Sequence, residues 1–171
     1  PADSLQLRKA VRWMIQHEGP VYLRICRNDL PELTGDNPDP INPAVVREGR
    51  DVAILTFGVM LYPALQAAET LAKEDIDCKV INIPCMKPFP EDKVRALCED
   101  VQAVVTAEEH SIIGGLTCAV GWALRGNGKP LEAVAVMDAF GQSAQSIDEL
   151  MAHYHLTDKD IVQKVRLVLG R

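Results

Sequence analysis

The chain has 171 residues, a formal charge of −6 at neutral pH, 47% apolar and 25% charged residues. A chain of this length buries roughly 68–70% of its unfolded surface, so it needs no disulfide or metal staple, and this composition excludes disorder. The acidic balance excludes general nucleic-acid binding, and no apolar run approaches the ~20 residues of a membrane span.

The chain opens at Pro1 with no initiator Met and no basic–apolar leader, and is expected to be processed or cut from something longer. Asp3 or Ser4 can cap a first helix reaching about His17, with Leu5, Val11, Trp13, Met14 and Ile15 as a mostly buried stripe. Gly19-Pro20 ends it, and Val21–Ile25 reads as a strand. Residues 28–50 hold four prolines, Pro31, Pro38, Pro40 and Pro43, and read as a linker. Strand–helix alternation follows. Val52–Thr56 is a strand, Tyr62–Lys73 a helix with Pro63 in its first turn, and Cys78–Ile83 a second strand stopped by Pro84. Pro90 opens a helix to about Cys98, with Glu91 and Asp92 placed favourably in its first turn. Val101–Ala107 is a third strand, Gly114-Gly115 introduces a helix to about Leu124, and Leu131–Val136 is a fourth strand. Ser146 and Thr157 can each cap a closing helix, and Thr157 with Asp160 resembles a capping box. Short apolar strands alternating with helices predict an α/β fold: a three-layer αβα sandwich with a mostly parallel sheet of four to five strands.

The five cysteines, Cys26, Cys78, Cys85, Cys98 and Cys118, form no C-x-x-C pair. They read as reduced, mostly buried thiols of a cytoplasmic protein, with Cys78, Cys98 and Cys118 inside apolar segments. His153 and His155 flank Tyr154 without a third ligand nearby, so no metal site is assigned.

In open α/β sheets ligands gather at the carboxyl edge of the strands. There the third strand leads into Glu108-Glu109-His110-Ser111, followed by Gly114-Gly115. Two readings are open. Either glutamate could orient His110 while the Gly114 and Gly115 amides receive an anion, or the glutamates cap or pair across a subunit contact and the glycines allow close packing. Arg27 follows a strand end and could fork onto phosphate or carboxylate, or pair with Asp29 or Glu32. Asp138–Ser143 is a ligand loop, or a turn whose Phe140 anchors an interface. Gly126-Asn127-Gly128 lacks a third glycine and follows a helix, so it is no dinucleotide fingerprint; Walker A and Gly-x-Ser-x-Gly sequences are absent.

Val105–Leu116 resembles the C-terminal domain of transketolases. The similarity extends to Arg47–Val52 with Phe57-Gly58 and Ala64-Leu65, to Val80–Asn82 with Lys87-Pro88, and to Asp138–Ser143, Glu149-Leu150 and Leu156-Thr157. It runs through nearly all of residues 47–168, and the ordered set is more specific than any one piece. Pro1-Ala2-Asp3, Gly19–Tyr22 and Arg27–Pro31 resemble the tail of the family's pyrimidine-binding domain. The resemblance implies three sections: residues 1–33 as a helix–strand remnant of that domain, 34–49 as linker, and 50–171 as the C-terminal α/β domain. It implies a parent enzyme that transfers two-carbon ketol units between sugar phosphates with thiamine diphosphate and Mg²⁺, as a homodimer completed by its N-terminal section. It gives Arg27 the substrate phosphate, assigns no catalytic residue or cofactor site to this chain, and leaves assembly and dimer contacts to the Glu108–Gly115 stretch. Deoxyxylulose-phosphate synthases and 2-oxoacid dehydrogenase beta subunits share the fold, and Arg27–Pro31 sits nearer transketolase. A freestanding anion-binding interaction domain is the alternative outside these enzymes.

Overall fold

The computed structural model describes all 171 residues. Its element order is α1 (Ser4–Gln16), β1 (Ala44–Arg47), β2 (Val52–Thr56), α2 (Leu61–Ala72), β3 (Cys78–Asn82), α3 (Glu91–Leu97), β4 (Ala103–Ser111), α4 (Leu116–Ala123), β5 (Leu131–Val136), α5 (Ile147–His153) and α6 (Asp158–Val168). The five strands lie in the order β1-β3-β2-β4-β5; β3, β2, β4 and β5 are parallel and β1 runs antiparallel on the edge.

The strands β2 and β3 are buried along their whole length because helices cover both faces. On one face Ile54, Val80, Val105 and Val134 pack with Leu61, Leu71, Ile161 and Val165 of α2 and α6. On the other, Leu55, Ile81 and Val104 pack with Val94, Leu116 and Val120 of α3 and α4. This is the expected three-layer sandwich. The local signals for the last two helices also hold. Ser146 accepts from the Glu149 amide at the start of α5, and Thr157 and Asp160 form a reciprocal capping box on α6.

Four expectations need correction. Val21–Ile25 forms no strand, since no backbone hydrogen bond joins residues 18–32 to another strand; extended propensity without a ladder partner makes no sheet. The proline-rich stretch, expected as linker, contributes β1, whose Ala44 and Val45 pair with Asn82 and Ile81. The third strand does not stop at Ala107; β4 continues to Ser111, so the two glutamates and His110 are strand residues. Finally, α1 buries Gln6 and Ala10 rather than the expected stripe, and Val11 and Ile15 stay exposed because no element of the chain covers that side. Among the thiols only Cys78 and Cys98 are buried; Cys118 is exposed.

Candidate functional site

The carboxyl edge of β4 is where the chemistry-bearing side chains meet. Ala107 pairs with Val134 and Ser111 with Val136, so β4 runs longer than its partner between these points and bulges through Glu108–His110. Alternation carries Glu108 to the same face as Val104 and Thr106, under α4, and sends Glu109 to the opposite face.

Glu108 is fully buried. One carboxylate oxygen accepts from the Leu116 amide at 2.6 Å; the other accepts from the Thr117 amide at 2.8 Å and the Thr117 hydroxyl at 2.7 Å. The Thr106 and Thr117 hydroxyls are 2.8 Å apart. A negative charge thus sits on the first amides of α4, where the helix dipole favours it. Gly115 is required by this contact, since a Cβ there would lie 2.0 Å from the Glu108 oxygen and 2.6 Å from the Ser111 carbonyl. Gly114 turns the chain with φ of 75°. At the Leu116 and Thr117 amides an external anion would have to displace the Glu108 carboxylate, and the Gly114 amide donates to the Cys118 sulfur at 3.3 Å.

Glu109 faces outwards and receives Arg24. The guanidinium Nη2 donates to the Glu109 side chain at 3.0 Å and to its backbone carbonyl at 3.1 Å. Neither glutamate carboxylate hydrogen-bonds to His110, which is exposed with Nδ1 2.8 Å from the Ser111 carbonyl oxygen. Arg27 is exposed three residues beyond Arg24 and pairs with neither Asp29 nor Glu32. The Asp138–Ser143 loop leaves β5 with Asp138 at φ 51°, an exposed Phe140 ring, and the Phe140 carbonyl accepting from the Tyr154 hydroxyl at 2.8 Å.

On the Glu109 face the chain's beginning closes over the sheet. Asp3 caps α1 by accepting from the Gln6 amide and also accepts from the Leu33 and Thr34 amides and the Thr34 hydroxyl. Burial pushes this carboxyl up, but those hydrogen bonds outweigh it and hold Asp3 below its ordinary range. Gln6 is buried; it accepts from the Ala2 amide and the Asn82 side-chain amide and donates to the Asp39 carbonyl. Sequence reasoning named Asp3 as a helix cap but missed its bonds to Leu33 and Thr34, and it missed Gln6, Asn82, Thr117 and Arg24 as contact residues.

Burial raises the Cys78 and Cys98 thiols to about 12 and about 11, so neither serves as a nucleophile at neutral pH. No three His, Cys, Asp or Glu side chains are grouped to hold a metal ion, His153 and His155 included. No helix is long and apolar enough to cross a membrane.

Residues 43–161 match the family model described as "Transketolase, C-terminal domain". The chain belongs to the transketolase family, through its C-terminal domain. A solved structure described as "Split gene transketolase, inactive beta4 tetramer" superposes with a TM-score of 0.92 at 37% identity, over 99% of this chain and 56% of that one. The "6-deoxy-6-sulfo-D-fructose transketolase subunit SqwH" of Clostridium sp. (strain MSTE9) is 40% identical over 100% of this chain and 54% of its own length. A "1-deoxy-D-xylulose-5-phosphate synthase" of Polaromonas sp. is 38% identical over 82% of this chain and 22% of its own length. The chain spans about half the length of the transketolase relatives it matches.

Proposed function

We propose that this transketolase-family chain supplies the C-terminal part of a thiamine-diphosphate-dependent enzyme that transfers two-carbon ketol units between sugar phosphates. The observation that carries this reading is the continuous match to transketolase subunits over the whole chain, with the same fold. In it, residues 1–33 are the tail of the pyrimidine-binding domain and 50–171 form the C-terminal domain, with β1 of the connecting residues 34–49 added to its sheet. The N-terminal section comes as a partner, and two such assemblies form a cytoplasmic dimer.

The residues present do not fit the cofactor. The chain groups no donors for Mg²⁺, and the helix amides nearest the sheet's carboxyl edge on the α4 side are bonded to Glu108. In this reading the thiamine chemistry belongs to the N-terminal section. What this chain brings to a sugar phosphate is Arg27, an exposed guanidinium with no carboxylate partner within the chain, whose planar donors suit a phosphate. The rest of its surface serves assembly.

The test is to assay the purified chain alone, and mixed with a transketolase N-terminal section from the same source, with thiamine diphosphate, Mg²⁺, a ketose phosphate donor and an aldose phosphate acceptor. The expected result is turnover by the pair and none by the chain alone. Turnover by the isolated chain would overturn the division of labour. The deoxyxylulose-phosphate synthase relative favours a second reading; a pair that accepts pyruvate as donor and refuses ketose phosphate would establish it instead.

A further inference from the structure

The segment between α1 and the Asp3-bound residues Leu33 and Thr34 is held in an unusual way. Residues 18–32 make no backbone–backbone hydrogen bond. Cys26 and Leu30 rest against the core, and the Asn28 amide turns back onto the Cys26 sulfur at 3.4 Å. Between residues 18–31 and the rest of the chain there are two side-chain hydrogen bonds, both from Arg24 to Glu109. Apolar contacts of this kind keep a segment close to a surface without fixing its register. A guanidinium held by both a carboxylate and a carbonyl does fix it. Glu109 can do this because its own backbone is set. It follows Glu108, which α4 holds with three donors, and it lies on β4, where neighbouring side chains point to opposite faces.

We infer that Glu109 is a positioning residue for Arg27: by gripping Arg24 it fixes where the following turn of chain presents the Arg27 guanidinium. The inference takes the phosphate-contact role of Arg27 from the proposed function, while the grip itself is independent of it. Glu109 touches no substrate in this scheme. Its effect is on how often Arg27 stands in the right place, so it falls on binding of the phosphorylated sugar.

Two measurements test it. The first uses the chain by itself, with no assumption about activity: the rate of tryptic cleavage after Arg27 in the native chain. Releasing the anchor by Glu109→Ala is expected to raise that rate about fivefold, in line with an exposed ion pair, while cleavage after Lys73 stays unchanged. An unchanged rate after Arg27 overturns the positioning role whatever the enzyme does. The second uses the enzyme reconstituted with its N-terminal section. Arg27→Ala is expected to raise KM for a phosphorylated acceptor about tenfold or more. Glu109→Ala should raise the same KM about three- to fivefold with kcat within twofold, and leave KM for the unphosphorylated sugar alone. Exchanging the pair, Arg24→Glu with Glu109→Arg, should recover most of the loss. If Arg27→Ala shifts KM and Glu109→Ala does not, the positioning role fails and the Arg27 reading stands. If Arg27→Ala leaves KM unmoved, both fail.

Discussion

Glu108 and Glu109 are neighbours in sequence and opposites in the molecule. The first is buried under α4 with its two oxygens shared among three donors; the second lies on the other face, part exposed, joined to one arginine from the far end of the chain. A pair of carboxylates beside a histidine reads in sequence as one reactive patch. The strand separates them, and with them two jobs: one stabilises the domain, the other steers a segment that the domain otherwise holds only through apolar contacts. On a strand, adjacency in sequence is separation in space.

The heaviest loss should fall at Glu108. Glu108→Ala leaves the Leu116 and Thr117 amides without their acceptor at a buried helix start. It should cost about 3 kcal/mol by urea unfolding, and a cost under about 1 kcal/mol would mean that the two glutamates are less different than their surroundings. Asp3 extends the contrast, being a carboxylate that gathers amides on the Glu109 face. Asp3→Ala should cost about 2 kcal/mol through the lost cap and the lost Leu33 and Thr34 bonds. Because Asp3 is held below its ordinary range, its contribution is present above the unfolded value of about 3.9 and is lost as pH falls below that, through the folded value. The gap between wild type and Asp3→Ala in unfolding experiments should therefore be constant near neutrality and close under acid. Thr56 offers the reverse case to Glu108, a buried hydroxyl at the carboxyl end of β2 with no hydrogen-bond partner. Thr56→Val should be neutral or stabilise by up to about 1 kcal/mol; a clear loss would show that the hydroxyl is bonded after all. The smallest loss belongs to Glu109, where removal of the exposed pair should cost up to about 1 kcal/mol in unfolding, matching the fivefold release of the segment.

Much of the fold was legible because its signals are local. The apolar runs at Val52–Thr56, Cys78–Asn82 and Leu131–Val136 could only be covered strands, and Thr157 with Asp160 announced a helix start three residues apart. The site was legible in place but not in wiring. Glu108 and the glycines stood out, yet nothing local shows that Glu108 meets Thr117, because the bond depends on how the Ser111–Gly115 turn closes. The Arg24–Glu109 pair spans 85 residues, beyond any spacing rule. Val21–Ile25 misled for the opposite reason: its residues favour an extended chain, and only a neighbouring strand could have made it part of a sheet. β1 was hidden by its four-residue length among prolines.

The antiparallel edge strand has a mechanical meaning. Hydrogen bonds of an antiparallel pair lie across the strands, so a pull arriving through Pro43 and directed away from the sheet meets Ala44 and its partner Asn82 first, then Val45 and Ile81. The bonds give way in turn, like a zip, and the opening runs towards Gly49, whose absent side chain lets the backbone pass close against Cys78 and Lys79. For a pull arriving through Pro43, this domain has a built-in weak seam at its entrance.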